Sequence, residues 1–336
     1  MPLGQLAQVL RGLNSVQGAD ERTLVGPETF DDAGVVALAG APGLPADSPV
    51  ALVQTVDYFP PVVDDPYFYG AIAAANSLSD VYAMGGKPFT ALNIAGIPRD
   101  FPEAWTAEIF RGGFEKIRES GALVVGGHTV QSNEALFGFA ITGLVDRNRV
   151  TANTGARPGD VLYLTKPLGM GAMTTAAKQQ KITWAQLEPA ARSMAELNDR
   201  AAEAMAAAGA RACTDITGFG LVGHARNIAR GSGLTIRIDL ASLPLFPGAL
   251  DLVRAGVVTG ASGRGRKSMG DDVLIASGAE ESLVKLVFDA ETSGGLLIAI
   301  AHGDAARLER ELGARGLPVR RIGSCEKKTE HSIELR

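Results

Sequence analysis

The chain has 336 residues, 46% of them hydrophobic and 21% charged, with a formal net charge of -5 at pH 7. That length buries at least one full core and predicts two domains of ordinary size, and the balance is that of a globular chain, not a disordered one. The acidic balance gives no attraction to nucleic acid, since the one basic cluster, "GRGRK" at 263–267, is short and free of aromatics.

Two cysteines, Cys213 and Cys325, make no disulfide framework and have no second thiol at metal-ligand spacing, which predicts a reducing, cytoplasmic setting. Cys213, between Ala212 and Thr214, reads as a small buried filler, and Cys325 as incidental in a charged tail, "GSCEKK". The opening "MPLGQLAQVLRGLN" lacks the basic start and unbroken apolar core of a signal peptide, and no run reaches membrane-span length. No membrane partner is expected.

Leu3, Leu6, Val9, Leu10 and Leu13 recur at helical spacing and predict an opening amphipathic helix. "VVALAG" and "PVALVQTVD" read as strands, the second ending at Asp57 and followed by a Pro/Asp loop. Residues 68–84 read as a helix that is apolar nearly all round, interrupted at Asn76, Ser77 and Asp80. "FTALNIAGIP" is a strand, 103–119 a helix, "ALVVGGHTV" a strand running into a glycine turn, and "LFGFAITGLV" another strand. The turn-rich "NTGARPGD" at 153–160 places a domain boundary between residues 152 and 153. Beyond it, "DVLYLTKPLG" is a strand, 184–208 an Ala-rich helical region, Gly220 to Arg230 a helix, "LTIRIDL" and "LLIAIA" strands, and 303–315 a helix. Strands alternating with helices in both halves predict mixed α/β layers.

"TDITGFGLVGHA" at 214–225 contains Gly218, Gly220 and Gly223 at the spacing of a dinucleotide fingerprint. Such a fingerprint needs a hydrophobic strand running into its first glycine, and "AGARACTDIT" shows little apolar alternation, although an acidic residue does follow at Asp239. Asp215, three residues ahead of Gly218, would repel a pyrophosphate unless a cation lay between them. A second reading is a glycine turn that lets a helix pack. A third has Asp215 on a divalent metal, with backbone N–H groups approaching phosphate at a helix start.

The third reading requires further carboxylates, and Asp32 in "FDDAG", Asp57 in "VQTVD" and Asp80 in "NSLSD" supply them. Asn76 and Asp80 lie one turn apart on a helix without Lys or Arg to pair with them, and a buried carboxylate without a partner is costly. Singly each Asp reads as a cap or turn residue. Together, with no "GxxxxGK[ST]" in the chain, they point to phosphate transfer outside the P-loop class, with magnesium carrying a nucleotide triphosphate.

The segments "VQTVDYFPPVVDDPYFYGAIAAANSLSDVYAMGGKP", "VVGGHTV", "TDITGFGLVGHA" and "ETSGGLL" resemble the selenophosphate synthetase (selenide, water dikinase) family, of the aminoimidazole ribonucleotide synthetase superfamily, from about Leu6 to "GLLIAI". The resemblance implies a two-domain α/β fold of mixed layers, an ATP-binding domain at 1–152 that forms homodimers and an α/β domain at 153–336. It implies ATP-dependent conversion of selenide and water to selenophosphate, AMP and orthophosphate. Carried over by position, Asp32, Asp80 and Asp215 are Mg2+ ligands. Thr29, Phe30, Asp31, Thr55, Asp57 and Asp80 lie against ATP, and Gly126, Gly127 and His128 reach ATP held by the partner subunit. Without the resemblance His128 reads equally as a polar turn residue, and His224 reads as helix packing.

The family carries a glycine-rich loop ahead of its first helix, with a reactive cysteine or selenocysteine and a lysine three residues later. This chain begins inside that helix and carries neither residue there: either the loop is missing or, the favoured reading, the catalytic nucleophile and lysine lie upstream of Met1, and the chain as written is expected to bind Mg-ATP but to be slow or inactive in the selenide step. "TGASGRGRKS" at 259–268 also lacks the Asn that the family places after its Arg pair. Two other readings are a non-catalytic nucleotide-binding relative and a small-molecule kinase or ligase of the same superfamily.

Overall fold

The computed structural model describes residues 20–26 and 30–336, so the expected opening helix and Thr29 lie outside the described residues. Strands β1 (Thr23–Val25), β2 (Gly34–Ala37), β3 (Val50–Phe59), β4 (Lys87–Ile97), β5 (Leu123–Gln131) and β6 (Leu136–Asp146) form one sheet in the order β1-β2-β3-β6-β4-β5. Every pairing is antiparallel except β4 with β5. A parallel pair needs a crossover, which helix α2 (Glu103–Glu119) provides.

Helix α1 (Pro66–Ala83) starts where Asp65 accepts from the Phe68 N–H at 2.9 Å and Pro66 fills the first turn. Every residue from Tyr69 to Ala83 is buried, so α1 shows no polar face. It can approach α2 so closely because of glycine: a Cβ on Gly70 would stand 1.9 Å from the Ile109 carbonyl oxygen, and one on Gly112 2.1 Å from that of Tyr67.

The second sheet contains β7 (Asp160–Leu164), β8 (Ala212–Asp215), β9 (Thr235–Ile238), β10 (Val273–Ile275), β11 (Leu296–Ala301), β12 (Arg321–Glu326) and β13 (Ile333–Leu335), ordered β10-β13-β9-β12-β7-β11-β8. Helices α3 (Met170–Lys178), α4 (Trp184–Ala195), α5 (Asp199–Ala208) and α10 (Ala305–Ala314) contribute to one core, joined by Val161, Tyr163, Ile298 and Ile300 and continuous with that around α1. Helices α6 (Gly220–Gly231), α7 (Ala249–Arg254), α8 (Gly260–Met269) and α9 (Glu281–Val287) cover the other face, onto which Leu162, Leu164 and Leu297 point. Burial on both faces is why "VLYL" and "LLIAIA" are unbroken apolar runs.

Several local expectations change. The glycines at 126 and 127 do not turn the chain; they stay within β5, where the register with β4 slips opposite Ala91 and Leu92. The first strand of the second half stops at Leu164, and the Ala-rich region is two helices broken at 196–198. "ACTD" is a strand after all, too short and too fully buried to show alternation. Cys325 is not incidental: it is fully buried within β12, between β9 and β7, and burial pushes its thiol up to about 12. Among the described residues no helix is long and apolar enough to cross a membrane.

Candidate metal and nucleotide site

The alternation of β3 turns Thr55 and Asp57 toward α1 while Val56 and Tyr58 face outward at 53% exposure each. On α1, Asn76 Nδ2 donates to Asp57 Oδ2 at 2.7 Å, and the Thr55 hydroxyl donates to Asp80 Oδ2. Strand β8 ends on Asp215, whose neighbour Thr214 donates its hydroxyl to Asp32 Oδ1 at 2.7 Å. The segment ahead of β2, helix α1 and an edge strand of the second sheet thus converge with one carboxylate each. Asp57 is close enough to Asp80 for its charge to push the Asp80 carboxyl up.

No arginine or lysine pairs with any of the four in an ion bridge among the described residues. Asp32 Oδ2 and Asp215 Oδ2 are buried with no hydrogen-bond partner. Burial, reinforced by neighbouring carboxylates, holds Asp32 and Asp80 well above the usual carboxylate range. Burial also pushes Asp57 up to about 6, against the opposing Asn76 hydrogen bond, and Asp215 up to about 7. A divalent cation would remove both the repulsion and the unmet acceptor capacity. The donors are hard oxygens on separate elements, a set suited to Mg2+ carrying phosphate.

The loop at 291–295 holds this arrangement from behind. Ser293 N–H donates to Asn76 Oδ1 at 2.9 Å, and Glu291 accepts from Gly169 and Met170 N–H at 2.7 and 2.8 Å at the start of α3. Lys166, which the sequence reading missed, is 5% exposed and donates to the carbonyls of Glu196 and Ser293 at 2.7 and 2.9 Å. Burial pulls its ammonium down to about 8. Its only sequence signal is a lysine at the end of an apolar strand.

Phe30 and Asp31 are fixed by Asn153, whose N–H donates to Asp31 Oδ1 at 2.6 Å and whose amide donates to the Phe30 carbonyl at 3.1 Å. Gly126, Gly127 and His128 are exposed on β5. Two strands separate β5 from β3, which puts them about 14 Å across the sheet from Asp57, so one chain does not bring them to the carboxylates. His224 lies among the acids and not merely in helix packing: its ring, Asp32 and Asp215 offer atoms within 4.8 Å of one another.

The glycine spacing at 218–223 has a packing explanation. A Cβ on Gly220 would meet the Asp289 carbonyl oxygen at 2.5 Å, and one on Gly223 the Phe219 side chain at 2.6 Å. Although β8 does run into this turn, it lies at the sheet edge and three strands separate it from β9, so the adjacent parallel pair of a dinucleotide unit is not formed.

Residues 30–145 match the family described as AIR synthase related protein, N-terminal domain, and residues 157–336 match its C-terminal domain. The two mixed sheets agree. A solved protein from Thermus thermophilus superposes with a TM-score of 0.73 at 22% identity, over 98% of this chain and 96% of its own. Thiamine monophosphate kinase from Aquifex aeolicus does so with a TM-score of 0.68 at 19% identity, over 100% of this chain and 98% of its own. The chain is therefore an AIR-synthase-related protein with the two-domain α/β fold of that class.

Within the class, sequence similarity is far higher to one group. The selenide, water dikinase of Geobacter metallireducens is 45% identical over 320 residues, 95% of this chain and 91% of that protein. The one from Caldanaerobacter subterraneus is 43% identical over 334 residues, 98% and 93% respectively. The chain belongs to the selenide, water dikinase family.

Proposed function

We propose that the chain makes selenophosphate from selenide, water and ATP, releasing AMP and orthophosphate, with Mg2+ held by Asp32, Asp80 and Asp215. The observation that carries the metal assignment is the pair of orphaned, buried oxygens on Asp32 and Asp215, in a cluster that no Arg or Lys ion-pairs with among the described residues. Bound there, magnesium supplies positive charge to the triphosphate and to the phosphoryl group in transfer. The chain's own groups orient that site: Thr55 holds Asp80 and Asn76 holds Asp57. Thr29, Phe30 and Asp31 lie beside the first ligand in sequence and are assigned, with Thr55, Asp57 and Asp80, to the nucleotide.

Gly126, Gly127 and His128 are assigned to ATP of a second copy. The apolar outer face of the first sheet supports a homodimer, with Val56, Phe89, Leu92, Leu123, Val125 and Val130 all exposed around it. Residues 1–152 then serve as the nucleotide and dimerisation domain and 153–336 as the second domain, in a cytoplasmic enzyme with no nucleic-acid or membrane partner. Phosphorus NMR tests the reaction. In a form that carries the family's nucleophile-and-lysine loop, ATP, Mg2+ and selenide should give selenophosphate, AMP and orthophosphate in equal amounts, and selenide-independent phosphorylation of a small molecule would contradict it.

A further inference from the structure

His224 stands close enough to Asp32 and Asp215 to look like a third or fourth metal ligand. Its hydrogen bonds say otherwise. The Thr217 backbone N–H donates to Nε2 at 3.2 Å, and the Thr217 hydroxyl lies 3.1 Å from the same nitrogen. Two donors converging on Nε2 make it the bare nitrogen of a neutral ring, so the proton sits on Nδ1. Nδ1 in turn faces Thr214 Oγ1 at 3.4 Å. A hydroxyl that receives that proton has one of its own to give. The shortest contact of Thr214 Oγ1 is Asp32 Oδ1 at 2.7 Å, against 3.1 Å to the Asp215 carbonyl.

From this geometry we infer that His224 is a positioning residue acting through Thr214 on Asp32, and not a metal ligand. Its tautomer directs the Thr214 hydroxyl proton onto Asp32 Oδ1, which leaves Asp32 Oδ2 as the single bare oxygen for the cation. A relay of this kind fixes a carboxylate ligand's rotation, and loss of such a support costs about 10–100-fold in metal affinity. Helix α6 carries His224 and β8 carries Thr214. This role for His224 rests on the metal reading above.

The test combines a spectroscopic and a binding measurement on the whole protein. With four histidines in the chain, a long-range proton–nitrogen spectrum of histidine-labelled protein, with His224 assigned by its loss in His224→Asn, should show Nδ1 protonated. The Mg2+ concentration needed for half-maximal ATP binding should rise about tenfold or more in Thr214→Val, recover in Thr214→Ser, and rise in His224→Leu for Mg2+ and Mn2+ alike. Nε2-protonated His224, or Thr214→Val binding like wild type, would overturn the inference. So would a loss in His224→Leu confined to nitrogen-preferring Zn2+ and Ni2+, which marks a direct ligand. Thermal melting of Thr214→Val checks that the buried, near-isosteric change leaves the fold intact. Failure of the wild type to need Mg2+ for ATP would instead remove the metal reading, while the tautomer result would still stand.

Discussion

Asp160 and Asp215 are equally buried, each 1% exposed, and their surroundings are opposite. Asp160 accepts from Arg211 at 2.6 Å and from the Arg157 N–H at 2.8 Å, so its charge is balanced within the chain. Asp215 Oδ2 has no hydrogen-bond partner and no Arg or Lys pairs with Asp215 among the described residues, and the ammonium of Lys166 is spent on two backbone carbonyls. Burial alone therefore does not mark a site. What marks it is a buried charge that the chain leaves unbalanced.

The largest effect is expected at the unbalanced end. Asp215→Asn and Asp80→Asn should each weaken Mg2+-dependent ATP binding at least about 100-fold in calorimetry, an amount equal to about 3 kcal/mol. In metal-free protein the same changes should leave the melting temperature unchanged or raise it, because each relieves repulsion. Asp160→Asn should do the reverse. It strands the partly exposed Arg211 and should destabilise by about 2 kcal/mol in urea titration, below the range for a fully buried pair, with ATP binding intact.

A pH series sharpens the comparison. Burial holds Asp57 up at about 6 and Asp215 at about 7 in the folded chain against 3.8 as the ordinary value, so between those limits the native state binds more protons than the unfolded one. With Asp32 and Asp80 also held well above the usual range and Glu291 raised to about 8, metal-free stability should then fall as pH rises from about 4 through 7 and on past it. Saturating Mg2+ should flatten that fall, and the gap in melting temperature between Mg2+ and chelator should widen with pH. Melting temperatures that rise with pH in chelator would contradict the placement of these carboxylates. The smallest effect is expected on the surface, where Arg192→Ala breaks a helical pair with Glu188 and should shift stability by under about 0.5 kcal/mol.

The site was legible where polar residues interrupt an apolar pattern. Asn76 and Asp80 break a helix that is otherwise apolar all round, and the structure turns them to Asp57 and Thr55. The longer strands and α1, α2 and α6 were legible by periodicity, since each buries one face or a whole circumference. Legibility failed where that signal vanishes. β8 is four residues buried on both sides, and Cys325 sits in a strand whose flanking charges pair with others across the sheet, as Glu326 does with Arg237. The glycines at 126 and 127 looked like a turn because glycine weakens any strand, yet both stay paired to β4 beside a register slip. His224 and Lys166 were out of reach for another reason. Lys166 meets loop carbonyls that only the tertiary fold brings to it, and although Thr214 and Thr217 lie close to His224 in sequence, no local spacing records that Asp32 joins them.

The central claim, that the convergent carboxylates hold a divalent cation for ATP, is tested most directly by titrating ATP into the wild-type chain with Mg2+ and again with chelator. The account predicts binding with Mg2+, no measurable binding without it, and loss of the Mg2+-dependent signal in Asp215→Asn. Equal ATP affinity with Mg2+ and with chelator, or an unchanged signal in Asp215→Asn, would contradict it.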